Sequence, residues 1–146
     1  LQMAGQGNAA SLLTVLDGLI RAEEWQQYFA GFTFPYGFYG PELYTMWLKE
    51  AGMHPVRVEL IPKEMSYPDR AGLEGWLRTT WLPYTERVPA GRRDAFVTEL
   101  VDRYLAEYPA DSKGQVHVSM VRLEVEACLG ECRELSLLSL PGSEGW

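Results

Sequence analysis

Cysteine is scarce in this 146-residue chain, with only Cys128 and Cys132 near its C-terminal end, so a dense disulfide framework is excluded. Nothing points to an oxidising compartment, and the two are expected to be free thiols. Histidine is equally scarce. His54 and His117 are far apart in sequence, and with two sulfurs they fall short of the spacing of a zinc site. Neither histidine accompanies a G-x-S-x-G nucleophile motif, which leaves a hydrolase without its machinery. Basic residues are in deficit. Thirteen Lys+Arg against 20 Asp+Glu give a net charge of -7, which repels polyphosphate and argues against nucleic acid. No apolar run approaches the roughly 20 residues that span a bilayer. The opening residues carry neither a basic region nor a long apolar segment, so a soluble, cytoplasmic protein with no membrane partner is expected.

What is present is enough for a packed core. The chain is 47% hydrophobic and 12% aromatic, outside the polar, aromatic-poor range that stays disordered, and its length suits one domain. It opens with Leu1-Gln2-Met3-Ala4-Gly5, which reads as the end of an apolar strand and suggests a fragment of a longer domain. Gly5-Gln6-Gly7-Asn8 is a turn signal. Leu12, Leu13, Val15, Leu16, Leu19 and Ile20 follow at helical spacing and predict a helix over about 9–28, with Asn8 or Ser11 as its cap.

Residues 32–40 put five aromatics among two glycines and a proline, an aromatic loop in place of regular structure. Pro41 suits a helix start, and the spacing predicts a helix to Ala51 ended by Gly52. Over 54–62, Val56, Val58 and Leu60 alternate with Arg57 and Glu59, which predicts a strand. Residues 63–69 are polar with Pro68 among them and read as a loop. Helices are predicted over 71–80, with Pro83 ending or bending the segment, and over 91–108, where Phe96, Leu100, Val101, Tyr104 and Leu105 share a face. Residues 115–127 alternate as a strand. Their apolar residues change from even to odd positions partway, so either both faces are buried near the middle or a bulge falls around Met120. Residues 128–146 lack periodicity and predict a poorly ordered tail. The pattern as a whole is α/β.

Several constellations could carry chemistry. Gly5-Gln6-Gly7 before a helix invites a phosphate-loop reading, but the third glycine position holds Ala10 and no strand-borne acidic residue follows, so a plain strand-to-helix turn fits better. The aromatic loop with Trp76, Trp81 and Tyr84 supplies either core or the wall of a small-ligand pocket. Arg78, Arg87, Arg92 and Arg93 are expected to cluster around the predicted helix pair in an otherwise acidic chain, and exposed arginines are ordinarily solvated. An arginine beside aromatic walls can also clamp a carboxylate. Arg78, between Trp76 and Trp81, and Arg122, inside an apolar strand segment, are the candidates for that role.

The segments Gly72-Leu73-Glu74-Gly75-Trp76-Leu77-Arg78-Thr79-Thr80-Trp81-Leu82-Pro83, Arg92-Arg93-Asp94-Ala95-Phe96 and Gly114-Gln115-Val116-His117-Val118-Ser119-Met120-Val121-Arg122-Leu123 resemble the C-terminal half of trans-aconitate 2-methyltransferase-like enzymes. These are class I methyltransferases that use S-adenosyl-L-methionine. The resemblance covers residues 1–127 and implies strands five to seven of a Rossmann-like sheet, with the last strand antiparallel beside strand five. It implies that residues 62–114 are a helical cap over the acceptor site. It further implies a small-molecule methyl acceptor, possibly a carboxylate, contacted by Tyr36, Tyr39, Trp76, Arg78, Trp81 and Arg122. The family's glycine-rich loop, its ribose-holding acidic residue and strands one to four have no counterpart here, so no cofactor-binding residue carries over. The isolated chain is then expected to be inactive and to self-associate through an unpaired sheet edge. The alternative is a stand-alone small-ligand-binding or dimerisation module without catalysis.

Overall fold

A computed structural model describes residues 1–130. Three strands form its sheet: β1 (Gln2–Ala4), β2 (Met53–Tyr67) and β3 (Val116–Leu129), in the order β1-β3-β2. β3 runs antiparallel to both neighbours, so β1 and β2 point the same way. Its alternating apolar residues suit this central place, and Leu123, Glu124 and Val125 are buried in succession. Both faces are therefore covered at its middle. The bulge considered at Met120 is absent, since Met120 pairs with Lys63 in an unbroken register. The irregularity lies in β2 between Pro55 and Arg57, where Val56 is the extra, exposed residue. β2 is an edge strand, which explains how Pro55 and Pro62 are tolerated within it.

The loop expected over 63–69 is instead mostly strand. β2 continues through Lys63, Glu64, Met65 and Ser66 to Tyr67, which pairs with Val116. The backbone partners offered along the whole of β3 outweigh the polar composition of that stretch. At the other end, β3 passes the expected limit at Ala127 to Leu129. The rest of the expected tail, from 131 on, lies outside the described residues. Cys128 is disulfide-bonded, which corrects the free-thiol expectation. That expectation rested on compartment alone, and the sequence does not fix compartment.

The helices are α1 (Ala10–Ile20), α2 (Pro41–Glu50), α3 (Arg70–Thr80), α4 (Leu82–Thr85) and α5 (Arg93–Glu107). α1 stops eight residues short of the expected Tyr28. A 3-10 turn at Gln26–Phe29 follows and brings Trp25 and Phe29 against Phe96, with ring centroids 5.2 and 5.7 Å away. Burying two large rings wins over extending an exposed helix. Neither Asn8 nor Ser11 caps α1; its N-cap is Ala9, with no side-chain hydrogen bond and a left-handed φ of 50°. α3 is capped as the sequence pattern favours, with the Asp69 carboxylate accepting the Gly72 N–H at 2.9 Å. Pro83 does not merely end α3. It sits in the first turn of α4, where its missing N–H costs nothing.

α1, α3 and α5 enclose one core with the sheet. Leu12, Leu16, Leu73, Leu77, Phe96, Leu100, Val116 and Val118 are fully buried in it. Tyr104 on α5 donates its hydroxyl to the His117 carbonyl at 2.6 Å, fastening that helix to β3. α2 packs along β2 and buries none of its own residues completely. No helix among the described residues is long and apolar enough to cross a membrane.

Candidate functional site

The β1–α1 connection carries the glycines that resembled a phosphate loop. Its geometry is that of a tight turn packed on the sheet. A Cβ at Gly5 would stand 2.6 Å from Leu60 Cδ2 and 2.9 Å from Leu123 Cβ, so Gly5 is required by the close approach of the turn to two apolar side chains. Gly7 takes a left-handed φ of 85°. The Gly5 N–H donates to the Val121 carbonyl at 3.0 Å, and the Val121 N–H donates to the Asn8 side-chain oxygen at 2.9 Å. These two bonds prolong the β1–β3 ladder, and they explain why Asn8 does not cap α1.

The aromatic loop packs against this turn and against the α3–α4 corner. The Gln6 N–H donates to the Tyr39 carbonyl at 2.9 Å. Phe34 lies 5.5 Å from Tyr36 and 6.4 Å from Trp81, nearly parallel to the latter. Trp81 meets Trp76 edge-on at 5.7 Å, and Trp76 lies 5.7 Å from Tyr67. Of the six residues singled out from the sequence, Tyr36, Trp76 and Trp81 thus join one aromatic chain. Tyr39 turns away to Trp47, 4.8 Å distant.

Burial separates these rings by role. Trp81 is 4% exposed and belongs to the core, Trp76 is half-buried at its margin, and Tyr36 and Tyr39 are exposed. Two polar atoms beside these rings, Trp81 Nε1 and the Tyr67 hydroxyl, are buried without a hydrogen bond among the described residues. Burial pushes the Tyr67 hydroxyl pKa up to about 12, so it is a neutral donor at ordinary pH. Orphaned donors flanking a half-buried ring are what a ligand oxygen would satisfy.

The arginines do not gather. Arg78 points away from the rings flanking it in sequence and pairs with Asp94 at 3.2 Å and Glu74 at 3.5 Å, with its side chain 42% exposed. The clamp expected between Trp76 and Trp81 is not formed, because Trp76, two positions away, lies on another face of α3 and the guanidinium is taken up by Glu74 and Asp94. Arg92 stacks on Trp25 at 4.6 Å and Arg87 on Phe32 at 5.3 Å, and Arg93 donates to the Val88 carbonyl at 2.9 Å. Each is used locally.

Arg122 lies elsewhere, on β3, with its side chain only 12% exposed and paired with the buried Glu124. Arg57 reaches the other Glu124 oxygen at 2.5 Å, and the Gln2 amide donates to this carboxylate at 3.1 Å. The arginines hold the Glu124 carboxyl below its usual range, Arg57 most strongly. Sequence alternation gave no sign of this network, since its members come from all three strands.

A second polar cluster was also missed. His117 on β3 has Nδ1 within 2.8 Å of Glu64 and 3.0 Å of the Ser66 hydroxyl, and Nε2 within 2.7 Å of Asp111. Its pKa is raised, chiefly by Asp111 and then by Glu64. The only available signal was that residue 117 alternates onto the polar face of β3. Among the described residues, no group of three or more His, Cys, Asp or Glu is arranged to hold a metal ion. No protein-family model matches this chain, and no curated protein matches it.

Proposed function

We propose that this chain is the acceptor-binding part of a class I methyltransferase that uses S-adenosyl-L-methionine and acts on a small molecule, a carboxylic acid being the favoured class. One observation carries the reading: β3 lies antiparallel between two mutually parallel strands, and a helical excursion, α3–α5, separates β2 from β3. That is the order in which the resemblance would place strands five, seven and six, with the cap between the last two. The aromatic chain through Tyr36, Trp81 and Trp76 is the proposed acceptor wall. Its orphaned Trp81 Nε1 and Tyr67 hydroxyl would hydrogen-bond an acceptor oxygen.

The residues here do not fit the cofactor itself. Gly5 is filled by Leu60 and Leu123, leaving no cradle in the β1–α1 turn for a nucleoside or phosphate. In this reading the chain's own residues bind and orient the acceptor and exclude water from it.

Tryptophan fluorescence during titration with trans-aconitate, run beside calorimetry with S-adenosylhomocysteine, tests the proposal. A saturable fluorescence change that Trp81→Phe abolishes, with no calorimetric signal from S-adenosylhomocysteine, is the expected result. A flat fluorescence titration sinks the acceptor reading. Tight S-adenosylhomocysteine binding overturns the assignment of this chain to the acceptor part alone.

A further inference from the structure

A cavity of about 90 Å³ lies between the β1–α1 turn and the sheet, lined by Ala4, Asn8, Lys63, Met65, Met120 and Arg122 among others. We infer that it binds the carboxylate of a short aliphatic acid, held by Arg122 and Lys63 with the acid's tail against the two methionines. The site is separate from the aromatic chain.

The argument begins with an unused donor. Arg122 gives Nη2 to Glu124, yet its Nε–H is buried and has no hydrogen-bond partner among the described residues. Glu124 does not serve that atom: its two oxygens receive Arg57, Arg122 Nη2 and Gln2 instead. A buried guanidinium N–H without an acceptor is costly, and a ligand oxygen reaching it would remove that cost.

The second cation makes the missing acceptor an anion. Lys63 lines the same cavity, and none of the ion pairs among the described residues uses its ammonium. The one carboxylate-bearing residue in the lining, Glu64, directs its carboxylate to His117. Asn8 is likewise occupied, its side-chain oxygen taking the Val121 N–H.

Size and lining choose among anions. The remaining wall is made by Ala4, Met65 and Met120, apolar groups that give nothing to the oxygens of a phosphate but suit a short hydrocarbon tail. Burying a multiply charged phosphate against thioethers would strand most of its oxygens. One charge, two donors and a small apolar body describe an aliphatic monocarboxylate.

Propionate titrated into the 146-residue chain, followed by the methyl NMR signals of Met65, Met120 and Ala4, is the test. Saturable shifts of these three are expected, together with at least an about tenfold loss of affinity for propionamide and for Lys63→Ala, each of which removes one charge from the pair. Lys63 is solvent-exposed, so its removal leaves the fold in place. Arg122→Lys, which takes away the Nε–H while keeping the charge, should weaken binding as well. Absence of saturable shifts, equal response to propionamide, or unchanged affinity in Lys63→Ala overturns the site. Inorganic phosphate binding as tightly as propionate would overturn the assignment of ligand class. No step involves methyl transfer or the aromatic chain, so failure here and failure of the acceptor reading are separate results.

Discussion

The side-chain oxygen of Asn8 accepts the backbone N–H of Val121 at 2.9 Å across 113 residues of sequence. This bond ties the β1–α1 turn to the centre of β3 and satisfies an amide that β1, ending at Ala4, is too short to reach. Asn8→Ala should therefore leave the Val121 N–H unpaired in a partly buried place and lower stability by about 1 kcal/mol. Asn8→Asp, which keeps an acceptor, should cost less. Denaturant unfolding of the three proteins checks the order.

Gly5→Ala tests what the glycine turn is for. The added Cβ would meet Leu60 Cδ2 at 2.6 Å and Leu123 Cβ at 2.9 Å, and overpacking of this kind costs about 1–3 kcal/mol. A turn built for a phosphate would respond differently, losing affinity for the anion and little stability. Melting with and without inorganic phosphate distinguishes the two, and only the stability loss is expected.

His117 sets a pH dependence with a definite sign. Its pKa is raised from 6.5 by Asp111 and Glu64, so the stability it contributes is complete below pH 6.5 and is lost as pH rises through its higher folded value. Asp111 is shifted the other way, its pKa lowered from 3.8 chiefly by His117, so its contribution is present above pH 3.8 and lost as pH falls through its lower folded value. The fastening of the 109–115 turn to β3 is thus strongest between pH 3.8 and 6.5. Imidazole NMR titration should show the His117 pKa falling toward 6.5 in Asp111→Asn, and by less in Glu64→Gln.

Arg78→Ala should cost no more than about 1 kcal/mol, since the side chain is 42% exposed and its ion pairs with Asp94 and Glu74 are screened by water. Its effect on acceptor binding should be small for the same reason. Removing Trp81 should act differently: Trp81→Ala opens a cavity beneath Phe34 and Trp76 and belongs to the roughly 3–5 kcal/mol class. Thermal melts rank the two.

Much of the helical layout was legible because its signals are local. Pro41 at the start of α2, Gly52 just past its end and the Phe96, Leu100, Val101, Tyr104 stripe of α5 each lie within a few turns of the element they define. The candidate site was legible only in its aromatic half. Tyr36, Trp76 and Trp81 come together because Phe34 and Trp81 carry ring contacts from the core outward to the half-buried Trp76 and the exposed Tyr36. Arg78 was misplaced because sequence adjacency to two tryptophans says nothing about which face of a helix a residue occupies.

The sequence by itself determined the periodicities: which segments could be helix or strand, and where glycine and proline break them. Tertiary structure decided where elements end and what charged side chains do. β2 reaches Tyr67 because β3 is there to bond it, α1 stops at Ile20 because Trp25 and Phe29 find Phe96, and Glu64 and Ser66 meet His117 because the β2–β3 register brings them to it. The physical reason is the same in each case. A hydrogen bond or ion pair is satisfied by whatever partner lies within about 3 Å in space, and partners tens of residues away leave no mark on local spacing.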